Sequence, residues 1–223
     1  MRADQTKAVL ASAFLASASA SSIRKITVSQ IVADSNMNRK TFYYHFEDKN
    51  DLIAWIFRRD LGTLLEEHAN AGELVFEDAS SKASYSDATA FPYYLRNKTG
   101  IRSFDNSEFF GLLARCIDGN RAFYRKVFEQ TCDQRNGLKN YLYRLYLPAL
   151  MADIRIMLGT RYLKQSVIDR LASFFTEAFI SDLERMTLDH ACDAVEPTIR
   201  LLGNVVHETL SHEIEELRLH RKL

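Results

Sequence analysis

The chain has 223 residues and no net formal charge, because its 29 Lys and Arg balance 29 Asp and Glu. Hydrophobic residues make up 47%, enough for a sizeable core in one or two domains. No apolar run approaches the roughly 20 residues of a membrane span, so we expect no membrane-spanning segment. With only three Pro and eight Gly, the composition favours long helices with few breaks, and we predict an all-α fold.

The three cysteines, Cys116, Cys132 and Cys192, are widely spaced along the chain. An odd number at these spacings fits neither a disulfide framework nor a zinc pattern. We therefore expect reduced thiols, a cytoplasmic location and no membrane partner.

Residues 8–20 form an apolar stretch rich in Ala and Ser, which has two interpretations. It is similar to the core of a short signal peptide, with small residues at a possible cleavage site. Asp4 weakens the positive leader that such a signal needs. We therefore favour an Ala-rich helix, whose predicted inward-facing residues are Val9, Leu10, Ala13, Phe14 and Ala16.

The segment 27–52 predicts two short helices joined by a tight turn. Thr27 precedes an apolar-periodic stretch, and its hydroxyl can accept from the N–H three residues on, as in a capping box. Asn36 stands where the chain turns, since Asn tolerates the left-handed backbone conformation. Asn38 can then cap a second helix over residues 39–45. This is the pattern of a helix-turn-helix, which makes DNA the first candidate partner.

The second helix of this motif has an outer face rich in hydrogen-bonding side chains. Phe42 and Phe46 are four apart and can both point inward. The positions left outside are Arg39, Lys40, Thr41, Tyr43, Tyr44 and His45. Arg can read guanine edges, Thr can touch a thymine methyl group, and Tyr and His can reach phosphates. Asp48 then caps a third helix, with Lys49 in its first turn.

These residues resemble the DNA-binding domain of the TetR family of transcriptional regulators. The resemblance covers about residues 6–57 and is carried by Thr27, Ile31, Ala33, Met37, Thr41, Phe42, Tyr43, Tyr44, His45, Phe46, Lys49 and Leu52. It implies an all-helical homodimer that binds a palindromic operator in double-stranded DNA. It further implies a three-helix reader at the N-terminus, and a C-terminal helical bundle that dimerises and binds an unknown small-molecule effector. We expect such a protein to act as a repressor.

The resemblance also divides the candidate DNA contacts. Its phosphate-contacting positions are Thr41, Tyr43, His45 and Lys49. Its groove-facing positions are Arg39, Lys40 and Tyr44, and Thr27 and Ser29 complete the predicted DNA-binding set. The chain departs from the family pattern at Asn36, where Gly is usual, and at Lys40, where a small residue is common. Because Lys40 can add a contact of its own, the operator sequence of relatives cannot be carried over.

The resemblance implies a DNA-binding domain over residues 1–47 and a regulatory and dimerisation domain over residues 48–223. The first 60 residues hold nine Lys and Arg against six Asp and Glu, and the remainder is slightly acidic. This uneven charge supports the division, since phosphates attract a basic reader. Residues 48–69 predict one helix, apolar on more than one side, that links the two parts.

Further along, residues 70–105 predict a loop-rich section, because Gly, Ser, Asp and Pro are frequent there. A connection this long is either a lid over a pocket or a disordered segment. Four helices are predicted after it, at about 107–117, 120–133, 137–158 and 163–187, and a last one from near Cys192 toward residue 220. Pro148 should kink or split the third of these four.

Aromatic residues crowd the middle of the chain. Most of them fit a core, and the alternative is a cavity between helices with a few polar groups. The candidate ligand-pocket residues are Phe110, Arg115, Tyr124, Tyr141, Arg144 and Phe175. By resemblance, the last two helices form the dimer interface, with Phe174, Ala178, Phe179, Ile199, Leu202 and Val206.

A narrower resemblance is to one branch of the family, the activators of dihydroxyacetone kinase genes. It is carried by the runs 41–46, 48–49, 55–57 and 123–124. That branch binds a protein co-activator in place of a free small molecule. It therefore implies a protein partner for the C-terminal domain, and activation in place of repression.

No sequence feature points to catalysis. The eight Gly are scattered, so no phosphate-cradling loop exists. His207 and His212 flank a run that resembles a zinc-protease helix, but five residues turn a helix by about 140° past a full turn, so the two rings diverge. We therefore expect no catalytic residues, no cofactor and no metal site, and predict that the chain is not an enzyme.

Overall fold

The structure is a computed structural model that describes residues 3–77, 90–130, 137–160 and 162–189, together with 208–209, 212 and 214–216. The named helices are α1 (Ala3–Ala20), α2 (Val28–Asp34), α3 (Arg39–His45), α4 (Lys49–His68), α5 (Ser107–Gly119), α6 (Arg121–Gln130), α7 (Leu138–Leu158) and α8 (Gln165–Leu188). Two short strands, β1 (Glu73–Val75) and β2 (Tyr94–Arg96), lie between α4 and α5. The predicted all-α class is confirmed, with this strand pair as an addition.

Three of the N-terminal helices begin at the polar side chains that the sequence predicts as caps. The Thr27 hydroxyl accepts from the N–H of Gln30 at 3.2 Å, and the Asn38 side chain accepts from the N–H of Thr41 at 2.8 Å. Asp48 accepts from two amides of the first turn of α4 at 2.7 and 2.9 Å. These bonds satisfy amides that have no partner within the helix, so local sequence fixes where α2, α3 and α4 start.

Helix α4 is the centre of the packing. Every residue from Leu52 to Arg58 is at most 3% exposed. Since seven consecutive residues make about two turns, every side of this part of the helix is covered. Trp55 packs edge-on against Phe46 before α4 and against Phe91 from the region of the strands. The predicted helix over residues 48–69 is therefore confirmed as α4, and its role as a link between two domains stays a prediction.

The section predicted as loop-rich, residues 70–105, contains regular structure. Strands β1 and β2 pair antiparallel, with Glu73 opposite Arg96 and Val75 opposite Tyr94. Three-residue strands carry no alternating pattern long enough to recognise in a sequence, which is why this pairing was not predicted. Residues 78–89 lie outside the described part of the chain, so the choice between a lid and a disordered segment stays open there.

A buried polar network fixes β2 against α7. The Tyr94 hydroxyl donates to Asp153 at 2.6 Å, and the Arg96 guanidinium donates to the other oxygen of Asp153 at 2.6 Å. Asn106, just before α5, donates to the Tyr94 hydroxyl at 2.6 Å. Asp153 is 1% exposed, so its charge depends on Arg96. Burial raises the pKa of Tyr94 well above its ordinary value, so the phenol keeps its proton and donates to Asp153.

A second buried charge joins α4 to the strand region. Arg58 is fully buried and donates to Glu77 at 2.6 Å and to the carbonyl of Phe91 at 2.6 Å. Its guanidinium also lies 5.2 Å from the ring centre of Tyr93 and 3.3 Å from the hydroxyl of Tyr141. Arg58 therefore holds both flanks of residues 78–89 against the central helix.

Two predictions about single helices need correction. On α1, Leu10 and Phe14 are buried as predicted, but Val9 is 37% exposed and Ala16 is also exposed. The buried stripe instead continues to Ala18, because only one narrow side of α1 meets the core. Helix α7 is continuous through Pro148, so the predicted split is wrong, whereas the alternative, a kink at that residue, stays a prediction.

The described apolar residues form two clusters. The larger joins α1 to α4 with β2 and α5 to α8, so the helix-turn-helix shares a core with the rest of the chain. The smaller lies at the far end of α7 and α8 and includes Ile154, Leu158, Leu163 and Ile214. The last predicted helix falls mostly outside the described residues; those of residues 208–216 that are described are helical.

The turn between α2 and α3 offers a direct test of the predicted helix-turn-helix. Asn36 has a φ of 54°, which L-residues other than Asn and Gly adopt at a cost. We expect Asn36→Ala to lower the free energy of unfolding by about 1 kcal/mol, and Asn36→Gly to preserve or raise it. Urea denaturation of both variants measures this, and equal losses for Ala and Gly would contradict the conformational explanation.

Candidate nucleic-acid interface

Helices α2 and α3 are held against the core by their apolar sides. Ile31 and Val32 of α2 are buried, as are Phe42 of α3 and Phe46 just after it. Met37 packs between them from the turn. The two helices therefore form a rigid unit whose remaining side of α3 faces solvent.

The solvent side of α3 carries four side chains, Arg39, Lys40, Tyr43 and Tyr44, which we name the reader face. Tyr43 is 51% exposed and Tyr44 is 81% exposed. The Arg39 guanidinium lies 5.9 Å from the ring centre of Tyr43, which steadies both side chains. The rings of Tyr43 and Tyr44 contact those of Phe42 and His45, yet about half or more of each tyrosine stays in solvent beside two cations. They offer hydrogen-bond donors and flat apolar surface to a partner.

His45 is not part of this face, contrary to the prediction. It is 9% exposed, and its ring contacts Tyr44 and Phe46. His45 comes three residues after Phe42, so it shares the inward side of a short helix. That spacing from Phe42 is the signal in the sequence that could have placed His45 on the inner side.

The other candidate residues flank the reader face. Thr41 is half-buried, and its hydroxyl lies 3.1 Å from the Asn38 side chain. Thr27 and Ser29 are exposed at the start of α2, where the Thr27 hydroxyl already accepts a capping hydrogen bond. Of this group, Ser29 keeps a hydroxyl on the surface beside the motif.

The charge of Lys49 is directed into the protein. Its ammonium donates to the carbonyls of Ile23 at 3.0 Å and Ile26 at 2.5 Å, both between α1 and α2. Burial lowers the pKa of Lys49 from its ordinary value, and the nearby Asp48 opposes this effect. The ammonium thus ties the start of α4 to the chain that enters the helix-turn-helix. Any contact with phosphate would have to be made alongside these two bonds.

Asp51 is a buried carboxyl beneath the motif. It is 4% exposed and accepts from the N–H of Glu47 at 2.9 Å. Burial raises the pKa of Asp51 to about 7, and the buried Lys7 nearby opposes this rise. The carboxyl therefore changes protonation near neutral pH, directly under the link between α3 and α4.

The six predicted pocket residues are not brought together around one site. Arg115 and Arg144 are exposed, so neither guanidinium points into the bundle. Their helices carry aromatic residues on the inner side, and the spacing of the arginines places them on the opposite side. Phe110 packs at 5.1 Å on Phe179, and Phe175 belongs to the smaller cluster.

The two tyrosines of that set are core residues. The hydroxyl of Tyr141 lies 3.3 Å from the Arg58 guanidinium. Tyr124 is fully buried, with its hydroxyl 3.9 Å from the sulfur of Cys116. Burial raises the pKa of the Cys116 thiol to about 12. These polar groups are therefore engaged in the packing of α4 to α7.

The predicted dimer residues divide into two groups. Phe174 is 64% exposed and Ala178 is also exposed, one turn apart on the outer side of α8. Phe179 is 6% exposed and contacts Phe110 and Tyr146, so it belongs to the core of its own chain, contrary to the prediction. The remaining three predicted residues, Ile199, Leu202 and Val206, lie outside the described residues.

Arg58 and Lys126 were not identified from the sequence, although both make polar contacts between distant elements. The Lys126 ammonium donates to the carbonyls of Ala18 at 2.6 Å and Ser19 at 3.0 Å. The only signal for Arg58 was a cation within an otherwise apolar run of α4. Within the ranges that the structure describes, no three His, Cys, Asp or Glu residues form a group that could hold a metal ion. No described helix combines the length and apolar character needed to cross a bilayer.

A sequence comparison finds a curated protein that is similar to part of this chain. No protein-family model matches the chain. The HTH-type dhaKLM operon transcriptional activator DhaS of Lactococcus lactis subsp. lactis (strain IL1403) is 25% identical over 129 residues. The chain is thus similar to a transcriptional activator. The match covers 55% of this chain and 49% of the relative, so the chain spans about half the length of the curated protein it matches.

A solved structure gives a weaker likeness. The dihydroxyacetone kinase operon activator DhaS superposes with a TM-score of 0.48 and 16% sequence identity, over 94% of this chain and 96% of that chain. A superposition this weak does not establish a common fold. The expected repressor activity stays a prediction, and the curated protein to which the chain is similar is described as an activator.

The buried carboxyl under the motif predicts a pH-dependent stability. Between an unfolded pKa of 3.8 and a folded pKa of about 7, the folded chain keeps a proton on Asp51 that the unfolded chain releases. Stability from this group is therefore complete below the lower value and declines as pH rises toward the upper one. The free energy of unfolding of Asp51→Asn minus that of the parent should therefore increase by about 2 kcal/mol from pH 5 to pH 8.

Urea unfolding at the two pH values measures this difference. Asp4→Asn, which removes an exposed carboxylate from α1, controls for the loss of a negative charge. If the difference between Asp51→Asn and the parent is the same at both pH values, Asp51 does not titrate in this range.

Proposed function

We propose that this chain is a DNA-binding transcriptional regulator of the TetR type whose reader face enters the major groove of double-stranded DNA. The observation that carries the proposal is the reader face itself, with Tyr44 81% exposed beside Arg39 and Lys40 on a capped helix of a helix-turn-helix. Similarity to a transcriptional activator supports the same function. A regulator of this kind needs no catalytic residues, so we also propose that the chain is not an enzyme.

Each side chain of the reader face has a role that follows from its chemistry. Arg39 can bond in a bidentate way to guanine, and Lys40 can contact a base edge or a phosphate. Tyr43 and Tyr44 can donate to phosphate oxygens, which positions the helix without reading sequence. Lys49 acts indirectly in this proposal, because its bonds to Ile23 and Ile26 hold the motif in place.

We further propose a homodimer that binds a palindromic operator, with the reader on residues 1–47 and the regulatory part on residues 48–223. Phe174 and Ala178 support this, because they leave an apolar strip exposed on α8. A two-fold dimer places two reader helices about one turn of DNA apart, which matches an operator with two half-sites.

For the regulatory signal, we favour a protein partner over a small molecule. The candidate pocket residues Tyr124 and Tyr141 are engaged in the core, and Arg115 and Arg144 face solvent. Surface residues suit a partner protein better than an enclosed ligand. Because the relative is an activator, we propose activation as the sign of control, with repression through a small-molecule effector as the alternative.

DNA binding is tested by selecting genomic fragments with the purified protein at a stated salt concentration and sequencing them. A palindromic site supports the proposal. Arg39→Ala should relax preference at one base position by about 1–3 kcal/mol, since the lost contact is to a base edge. Tyr43→Ala should weaken binding to specific and random DNA alike, since its contact is to phosphate. Fluorescence anisotropy with both kinds of duplex distinguishes the two effects.

The matched control is Lys98→Ala, which removes an exposed cation far along the chain and should leave affinity unchanged. An equal loss on specific and random DNA for Arg39→Ala would refute its assignment to a base. Unchanged DNA affinity for both α3 variants would remove the reader face from the proposal.

The dimer is tested separately by sedimentation. Phe174→Glu places a charge on the exposed strip of α8 and should shift the protein from dimer to monomer without unfolding it, because 64% of this side chain is exposed. Tyr162→Glu changes an aromatic residue that is 73% exposed outside the strip, and should leave the dimer intact. A parent protein that sediments as a monomer would exclude the proposed interface.

A further inference from the structure

A short loop between β2 and α5 is fixed on the C-terminal end of α7. Its residues 98–104 form a tight turn, in which Lys98 pairs with Phe104 as in antiparallel strands. Phe104 anchors the loop, because this residue is buried in the smaller apolar cluster. The guanidinium of Arg102 packs on Gly159, where a Cβ would lie only 2.8 Å from its Nε. The loop therefore has a fixed position at this end of the molecule.

The tip of the loop exposes an aliphatic side chain. Ile101 is 94% exposed, so almost none of its apolar surface is removed from water within this chain. Tyr162, three residues after Gly159 in the connection from α7 to α8, is also largely exposed. A single exposed apolar residue is ordinary, but two large ones at the same end of a fold are typical of a surface that meets a partner.

Cations surround these two side chains. Residues 98–105 and 155–169 hold five Lys and Arg against two Asp, whereas the whole chain has no net charge. In the part of the chain that the structure describes, no ion pair involves Lys98, Arg102 or Lys164. This end of the molecule therefore presents a positive potential to the solvent.

The two acids at this end are engaged in local hydrogen bonds. Asp105 accepts from the N–H of Ser107 at 2.9 Å, at the start of α5. Asp169 accepts from the side chain of Gln165, one turn earlier on α8, at 2.6 Å. Both carboxylates thus stabilise their own helices, and the excess of cations stays available to a partner.

The same end lies far from the reader face. Helix α8 begins here at Gln165 and has 24 residues, so it is about 36 Å long. At its other end, the carbonyl of Met186 accepts from Arg121 of α6 at 2.8 Å. Helix α6 in turn packs on α1, with the ring centres of Phe123 and Phe14 5.9 Å apart. DNA on the reader face therefore leaves these cations uncovered, and DNA binding does not explain them.

We propose that this end of the molecule is a docking surface for an acidic protein partner. We name it the distal face, and its residues are Lys98, Ile101, Arg102, Arg155, Tyr162 and Lys164. Ile101 enters an apolar pocket of the partner, and the surrounding cations face carboxylates at the rim of that pocket. The partner's role as the regulatory signal rests on the proposed function, whereas the docking surface itself does not.

The shape of the distal face favours a folded protein over a lipid surface. A membrane takes up a long apolar stripe along a helix, flanked by cations. The distal face instead projects one aliphatic side chain, Ile101, from a fixed turn. A single projecting side chain fits a concave site, in which it becomes fully desolvated, and such sites are formed by folded proteins.

The test uses the full-length protein with photoreactive p-benzoylphenylalanine at position 101, made in the cells that normally contain it. Irradiation should give an adduct with one acidic protein, identified by mass spectrometry of the cross-linked peptide. Position 76 is the matched control, because Phe76 is an exposed apolar residue at the opposite end of the strand pair. The absence of an adduct at position 101, or the same adduct at both positions, would overturn the proposal.

The captured protein is then purified and titrated by calorimetry. Its affinity for the parent should fall as salt rises, because the charges lie at the surface. Ile101→Ser should weaken binding by about tenfold or more, since a side chain that fills a pocket on binding is a hot spot. Lys164→Glu should weaken binding by about threefold to tenfold and reduce its salt dependence.

The matched controls are Phe76→Ser and Arg115→Glu, which make the same kinds of change on exposed residues outside the distal face. Both should leave the Kd unchanged. Circular dichroism should show equal helix content for all four variants, because each replaced side chain is exposed. An equal loss from Ile101→Ser and Phe76→Ser, or from Lys164→Glu and Arg115→Glu, would refute the distal face.

Other occupants of the distal face give different results, and each of these results contradicts the proposal. An adduct between two copies of this chain would identify a self-association surface. Binding to vesicles of equal phosphatidylglycerol and phosphatidylcholine that is lost in Ile101→Ser would identify a membrane surface. A captured protein that is basic, or whose binding is insensitive to salt, would exclude charge complementarity.

Failure of the distal face and failure of the proposed function are distinguishable. If the parent binds no DNA but the acidic partner binds through Ile101 and Lys164, the proposed function is wrong and the docking surface stands. If the parent binds its operator but position 101 gives no adduct, the docking surface is wrong and the proposed function stands.

Discussion

The first half of α4 is buried on every side, and this burial constrains the movement of every element that packs around it. From Leu52 to Arg58 no side of the helix meets water, and the helix packs against Phe46, which precedes it in sequence, and against Phe91 and Tyr124, which follow it. Close-packed interiors do not deform smoothly, so α4 cannot rotate or slide without repacking both layers. The helix-turn-helix therefore shares one continuous apolar core with the later helices. The contacts that stabilise this core also set the orientation of the helix-turn-helix.

Local signals in the sequence predicted most of the fold. The caps at Thr27, Asn38 and Asp48 gave the starts of three helices, because a side chain that accepts from a free amide acts within four residues. The pairing of β1 with β2 could not be predicted from such local signals, because the paired residues are 19 to 23 positions apart in sequence. The network of Tyr94, Arg96 and Asp153 joins residues that are almost 60 positions apart in sequence, so no local pattern predicts it.

The candidate site was predictable to a similar degree. The reader face followed from helical spacing once the cap at Asn38 was placed, and the structure differs from the predicted outer face in burying His45 and half-burying Thr41. The ligand pocket was a weaker prediction, because aromatic composition says that a core exists without saying which polar groups enter it. Arg115 and Arg144 illustrate this, since a shift of one or two positions along the helix, about 100° each, decides whether a guanidinium faces the core or solvent.

The buried thiol of Cys116 has a practical consequence. With its pKa near 12, the thiolate fraction at pH 8 is on the order of one in ten thousand, and burial keeps reagents away from it. The sulfur lies between α5 and α6 beside Tyr124, so alkylation requires these helices to separate. The rate at which Cys116 is labelled can be followed by mass spectrometry of its peptide. This rate therefore measures how often the core opens between α5 and α6.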